Sequence, residues 1–286
     1  MSKIEDAFLF TLMASFWALN YPILKIALNL EPPFVILLFR VMFAALFAPL
    51  FLRGETFRGM NLHENIKIFG IGLLNIVIFM GFWFVGESYV SASVSSILIY
   101  SYPIFNVMLS ILILRERISA GISMGIILGF TGLFLISFHE YYITSALGLI
   151  FLIIASVSWA LGTVLYKKFL GRTSPRMVNF MQYIYSIPIL LILSFVADPA
   201  FVYSLSYKFL ILMIYMGSLG TAFAYLIYFR LFRKYSVSSI SSYFFAVPAL
   251  SVVFSFFILD EKSSIDIYIG MILISAGIFL SSKYSQ

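Results

Sequence analysis

Ten apolar stretches, each about as long as the roughly 20 residues a helix needs to cross the hydrocarbon core of a bilayer, take up nearly the whole chain. They cover residues 7–28, 33–52, 67–86, 91–113, 120–138, 145–166, 177–197, 208–228, 236–258 and 267–282. Lipid offers a peptide group no hydrogen-bond partner, so each stretch must satisfy its own backbone as a helix. The expected fold class is therefore an all-α integral membrane protein with ten transmembrane helices. Composition supports this: with 62% hydrophobic and 10% charged residues over 286 positions, a soluble globule would lack the polar surface to stay dissolved. Most connections are short, which makes chain neighbours antiparallel, and the longest is the polar loop 53–65. The stretch from Ala7 to Leu28 exceeds a signal-peptide core and carries no small-residue cleavage pattern, so it is expected to be retained as the first span.

The placement of charge orients these spans. With the N-terminus in the cytoplasm, the basic residues of the cytoplasmic loops include Lys3, Arg53, Arg58, Lys67, Arg115, Arg117, Lys167 and Lys168, followed by Arg172, Arg176, Arg230, Arg233, Lys234 and Lys283; only Lys208 and Lys262 fall outside. Lys25 and Arg40 lie within spans. This asymmetry places both termini in the cytoplasm. The absence of lipidation motifs and N-glycosylation triplets agrees with a multi-pass protein of a prokaryotic plasma membrane.

The second half repeats the first. Trp17-Ala18-Leu19 with Lys25 returns 142 positions later as Trp159-Ala160-Leu161 with Lys167. Farther on the offset is 145: Tyr102-Pro103 matches Val247-Pro248, Arg115-Glu116-Arg117 matches Asp260-Glu261-Lys262, and Gly125 and Gly132 match Gly270 and Gly277. The copies are expected at residues 1–139 and 140–286, five helices each. Five is odd, so the second copy enters the membrane from the opposite face, and two inverted five-helix repeats are the usual build of secondary carriers.

The residues that recur also resemble a known family. Trp17-Ala18-Leu19-Asn20-Tyr21-Pro22 followed by Lys25, Pro32-Pro33 and Arg40 is similar to the opening of EamA-type carriers of the drug/metabolite transporter superfamily. The serine run Ser91 to Ser96, Tyr102-Pro103 and the glycine-spaced span Gly121 to Gly132 resemble that family's fourth and fifth helices, and Ser236 to Ser242, Pro248, Gly270 and Gly277 repeat the block. The resemblance covers essentially the whole chain. It implies a ten-helix carrier of small metabolites or drugs, many of whose relatives export amino acids. Two departures are visible: Gln182 stands where the first copy has Arg40, and Gly162 where it has Asn20.

A guanidinium deep in an apolar helix costs about 2.5–3.5 kcal/mol on insertion scales and must face protein or a water-filled space. Arg40 is thus the sharpest candidate, either binding a solute carboxylate through paired N–H donors or bonding carbonyls that hold the repeats together. Lys25 shares a helix face with Trp17 and Tyr21, with Asn20 adjoining; it either lines a pore or snorkels to the interface. Trp17 and Trp159 lie well inside their spans, unlike belt aromatics, and form a candidate paired lining. Asn20, Asn75, Tyr100, Thr163, Gln182 and Tyr225 are the polar candidates within spans for contacting substrate; the alternative for each is a bond to a neighbouring helix. The serine runs either pack helices closely or bond substrate. Pro103 and Pro248 each strip a helix of one hydrogen bond and are the hinge candidates. Gly121, Gly125 and Gly129 form a groove for helix contact within one subunit or, alternatively, in a homodimer, although a monomer suffices.

Several classes are disfavoured. There is no cysteine, and His63 and His139 are far apart, so no metal site is expected. No phosphate-binding loop, catalytic cluster, cofactor motif or nucleic-acid-binding patch is evident, which argues against an ATP-driven pump and against an enzyme. No Asp or Glu is expected deep in a span, which disfavours strict carboxylate-based proton exchange. The reading is a carrier whose partners are a small-molecule substrate and the bilayer, exporting amino acids or related metabolites by alternating access. The alternative is multidrug or organic-cation efflux, with aromatic faces supplying cation–π contacts.

Overall fold

The computed structural model describes residues 3–52, 61–140, 145–197, 206–260 and 265–284. Arg53, Arg58, Glu261 and Lys262, assigned above to loops, lie outside them. The described residues form helical rods and no strand: α1 Lys3–Leu28, α2 Pro33–Phe51, α3 Leu62–Ser88, α4 Ala92–Leu114, α5 Ala120–Glu140, α6 Ala146–Leu170, α7 Pro175–Ala197, α8 Tyr207–Lys234, α9 Val237–Leu259 and α10 Ile265–Tyr284. Eight of these have the length and apolar content of a membrane span on their own; in α5 and α10 the apolar stretches Ala120–Gly132 and Tyr268–Gly277 are shorter. Large apolar side chains such as Leu112, Phe195, Phe257 and Ile272 face outward, while Asn20, Arg40, Asn75, Thr163 and Gln182 are buried. That inside-out distribution is what lipid solvation demands, and the chain is a multi-pass membrane protein.

Helix starts follow from short polar side chains. Asn61 and Glu64 form a reciprocal capping box on α3. Ser91 and Ser236, 145 positions apart, begin α4 and α9 with the same device, each hydroxyl accepting the backbone N–H three residues on. The serine runs therefore start by capping their helices. Both helices end alike, at Arg115 and Asp260, with left-handed φ values of 58° and 54°.

Irregular turns also recur at the 145 offset. α3 widens into a π turn over Leu73–Ile78 and α8 over Ser218–Phe223. Ahead of the matched prolines, α4 breaks at Tyr100 and Ser101, before Pro103, and α9 tightens into a 3-10 turn over Ser242–Phe245, before Pro248. A proline ring that cannot accommodate the carbonyl four residues back accounts for both disturbances.

The packing is reciprocal. A Cβ on Gly132 would lie 2.5 Å from the Gly270 carbonyl, and one on Gly277 would lie 2.5 Å from the Gly125 carbonyl, so α5 and α10 cross with backbones nearly touching. Gly72 packs on the Gln182 carbonyl and Gly217 on that of Arg40. Most telling is an exchanged pair. A Cβ on Gly220 would sit 2.3 Å from Asn20 Oδ1, and one on Gly162 would sit 2.0 Å from Asn75 Oδ1. Since Asn20 matches Gly162 and Asn75 matches Gly220, each crossing carries one asparagine and one glycine, on opposite partners. Gly162 is a glycine because its neighbour brings the amide.

Gly162→Ala should therefore overpack the α3–α6 crossing and lower stability by about 1–3 kcal/mol. Asn75 Nδ2 and Oδ1 have no hydrogen-bond partner among the described residues, so adding Asn75→Ala should restore most of the loss at little cost of its own. Thermal midpoints of the single and double variants in detergent measure the coupling; purely additive effects would show that the two residues do not compete for space.

Candidate functional site

Helices from both halves meet around a central cavity. Its walls are Trp17 and Tyr21 from α1, Arg40 from α2, Phe79, Met80 and Trp83 from α3, Tyr100 from α4, Trp159 from α6 and Tyr225 from α8. Its volume is about 10 Å³, room for roughly one water. The rings close it by packing on one another. Trp159 stacks on Phe79 at 4.8 Å and on Tyr102 at 3.8 Å between centroids, and meets Trp17 edge-on at 5.3 Å. Tyr21 lies 4.9 Å from Trp83. Such contacts are worth about 0.5–1.5 kcal/mol per pair beyond area burial, so the lining rings stabilise one another around the small cavity.

The π turn of α8 supplies the polar anchor. The Ala224 N–H bonds to the carbonyls of Leu219 and Thr221, leaving the Gly220 carbonyl between them free to face other helices. That oxygen accepts from Trp17 Nε1 at 3.2 Å, Asn20 Nδ2 at 3.2 Å and Arg40 Nη2 at 3.3 Å. Arg40, 1% exposed, also donates from Nε to Thr221 Oγ1 at 2.7 Å, and its guanidinium carbon lies 5.2 Å from the centroid of the Trp83 ring. Its Nη1 has no partner among the described residues. In α3 the Phe79 N–H reaches back to Leu74, and the Asn75 carbonyl accepts from the Tyr225 hydroxyl at 3.4 Å.

Of the residues singled out from sequence, Trp17, Arg40, Tyr100, Trp159 and Tyr225 line the cavity together. Asn20 and Asn75 occupy the glycine crossings beside it. Thr163 joins a hydroxyl cluster with Tyr102 and Tyr228, and Gln182 donates to Asn179 at 3.4 Å. Pro103 and Pro248 are buried where their helices are irregular. Lys25 is not part of the lining. Its Nζ binds the Glu87 and Val90 carbonyls at the end of α3, and its copy Lys167 binds those of Phe232 at 2.8 Å, Arg233 at 3.2 Å and Tyr235 at 3.0 Å at the end of α8. Both lysines cap carbonyls at the negative end of a matched helix.

Phe79, Met80 and Trp83 are lining residues that sequence reasoning missed. The repeat held the signal, because Met80 matches Tyr225 and Trp83 matches Tyr228. The acidic residues also need a correction: Glu87, which falls just past the expected span 67–86, lies in the last turn of α3 and is fully buried. Its Oε2 accepts from Trp83 Nε1 at 2.6 Å and Ser95 Oγ at 2.7 Å. A helix two residues longer than its apolar pattern takes the carboxylate inside, where an indole and a hydroxyl both bond its Oε2.

The two ends of the molecule close differently. At the α8–α9 junction Asp6 of α1 pairs with Lys234 and accepts from Tyr235 Oη at 2.8 Å, while the Glu116 carboxylate accepts the Val237 and Ser238 N–H groups, each at 3.0 Å. At the matching α3–α4 junction the position of Asp6 is taken by Gly148, where a Cβ would lie 2.9 Å from Tyr89 Cβ and from Val90 Cγ1. The Asp6–Lys234 pair at the α8–α9 junction thus has a glycine in its matching place, although Lys25 and Glu87 bring charge to the α3–α4 end as well.

Comparison with known proteins places this geometry. A family profile described as the EamA-like transporter family matches residues 6–138 and again residues 146–283. The chain is 27% identical to the uncharacterized transporter YvbV of Bacillus subtilis over 100% of its own length and 94% of that protein's. It is also 27% identical to an uncharacterized transporter of Archaeoglobus fulgidus, covering 94% of this chain and 95% of the other. A WAT1-related chloroplastic protein of Arabidopsis thaliana is 28% identical over 94% of this chain and 66% of its own. A solved crystal structure superposes with a TM-score of 0.77 over 99% of this chain and 98% of that one, at 15% identity, a likeness of fold alone.

Lys167→Met should lower stability by about 1.5–3 kcal/mol, the worth of bonds from a charged donor. Lys168→Met, whose ammonium lies on the exposed side against the Phe169 ring, should change it by less than about 0.5 kcal/mol. Thermal unfolding of both variants compares them, and equal losses would mean that the helix-end carbonyls contribute nothing.

Proposed function

The chain belongs to the EamA-like transporter family, and from that membership we propose that it is an alternating-access carrier for small carboxylate-bearing metabolites, amino acids among them, with export the favoured direction. The observation that carries this reading is Arg40, a buried cation with an unused donor, lining an aromatic cavity built by helices of both halves. Paired N–H donors suit a carboxylate and aromatic walls suit an apolar body. In this reading all ten rods cross the membrane as two inverted five-helix repeats, residues 1–139 and 140–286, with both termini in the cytoplasm of a plasma-membrane protein and one subunit sufficient for transport. The reciprocal glycine crossings support the arrangement, since a twofold axis generates contacts in such pairs.

A cavity of about 10 Å³ holds no metabolite, so the described state is occluded and transport requires the lining rings to part. Pro103 and Pro248 serve as hinges, because the helices they interrupt already lack regular bonding. Opening toward the α8–α9 junction breaks the Asp6 latch; opening toward the α3–α4 junction draws Gly148 from Tyr89 and Val90. Aromatic walls also favour the second reading, efflux of organic cations, but a guanidinium in the same cavity repels such a solute.

Purified protein in liposomes should accelerate exchange of some labelled amino acid or related acid, and the absence of saturable flux across a broad metabolite panel would reject the carrier. The latch has its own readout. The chain has no cysteine, so a single one replacing Tyr225 reports access to the cavity. Adding Asp6→Asn should raise labelling by an impermeant thiol reagent several-fold from the side of the α8–α9 junction and not from the other; unchanged sidedness would remove the latch from the mechanism.

A further inference from the structure

We propose that Arg40 makes the cavity selective for the net charge of its occupant: organic monoanions bind ahead of zwitterions, and cations are excluded. The inference rests on the carrier reading above and narrows its substrate class. Its basis is the charge on the walls of the chamber. Arg40 is the one charged group among the residues that form the walls; the others are aromatic side chains and Met80. Both groups that Arg40 binds, the Thr221 hydroxyl and the Gly220 carbonyl, are neutral. Among the described residues no carboxylate forms an ion pair with it. The acid on α3, Glu87, accepts from Trp83 Nε1 and Ser95 Oγ, and the Lys25 ammonium binds the backbone carbonyl of that same residue. Arg40 is thus the one charge on the cavity wall itself, and among the described residues no acid is bonded to it.

In a low-dielectric space the occupant that neutralises this charge gains most. A single carboxylate does so, and Nη1 is the donor not already engaged. A zwitterion delivers the same carboxylate but brings an ammonium into a chamber that stays positive, with only ring faces and tyrosine hydroxyls to receive it. A cation adds to that charge and engages no acid. The repeat supplies the neutral reference: Gln182 occupies the position matching Arg40, buried on a helix packed in the same way, so an uncharged side chain is compatible with this site.

The test uses three solutes with one phenyl-ethyl skeleton: 3-phenylpropionate, phenylalanine and phenethylamine, as competitors of counterflow in proteoliposomes containing the full chain. The expected order is 3-phenylpropionate effective at a concentration at least about tenfold below phenylalanine, with phenethylamine without effect; about tenfold corresponds to 1.4 kcal/mol. Arg40→Gln should bring the anion and the zwitterion to within about twofold of each other, whereas Arg40→Lys, which keeps the charge, should preserve the order. Thermal midpoints confirm that both variants are folded, and if Arg40→Gln does not fold, the wild-type and Arg40→Lys orders decide. Saturable flux with phenylalanine equal to or ahead of 3-phenylpropionate, or an order that survives in folded Arg40→Gln, overturns charge selection and leaves the carrier standing. No saturable flux of the three probes or of a broad metabolite panel removes the carrier reading itself.

Discussion

One carbonyl organises the centre of this molecule. A π turn in α8 takes the Gly220 oxygen out of the helical ladder, and the side chains of Trp17, Asn20 and Arg40 converge on it from α1 and α2. A regular α-helix would have spent that oxygen on its own backbone. The irregularity thereby pins helices of the first half to a helix of the second and gives partners to two of the three nitrogens of a guanidinium that is costly in lipid. Because position 220 has no side chain, Asn20 can lie against the same turn.

The two halves share a plan and differ where charge is concerned. Contacts made by Gly125 and Gly132 are returned by Gly277 and Gly270, the π turns match, the lysine caps match, and the asparagine–glycine crossings exchange partners. Against that background Arg40 faces Gln182, and the Asp6 latch faces Gly148. The packing is shared between the copies, while a charge stands at Arg40 and at Asp6 and not at the matching Gln182 and Gly148. The aromatic rings at the centre pack on one another, and among the described residues the N–H donors left without a partner there belong to Arg40, Asn75 and Trp159.

Much of this was legible in the chain. Apolar length alone leads to helices, because in lipid the backbone has no other partner; the offsets of 142 and 145 reveal the repeat; and a lone arginine within a span marks the cavity because burying it without purpose costs too much. The paired tryptophans followed from their depth. Lys25 was less readable. Helical spacing puts it on the face of Trp17 and Tyr21, yet its flexible stem carries the ammonium past the cavity to carbonyls of a different helix, and spacing says nothing about those. Glu87 was misplaced for a related reason, since hydropathy ends a span where charge begins and does not register that Trp83 and Ser95 could satisfy a carboxylate one turn farther on.

What the sequence by itself determined was the class of the fold, the division into two copies and the identity of the costly buried groups, all of which depend on local apolar length and the expense of charge in hydrocarbon. Only the tertiary structure decided which of those groups share a wall, that the Gly220 carbonyl is the common acceptor, that Phe79, Met80 and Trp83 complete the lining, and that Asp6 pairs with Lys234 where the matching Gly148 packs on Tyr89 and Val90. These depend on contacts between helices distant in the chain, such as the 200 or so positions separating Asn20 from Gly220, where a π turn of one residue's excess rotates a carbonyl into reach or out of it.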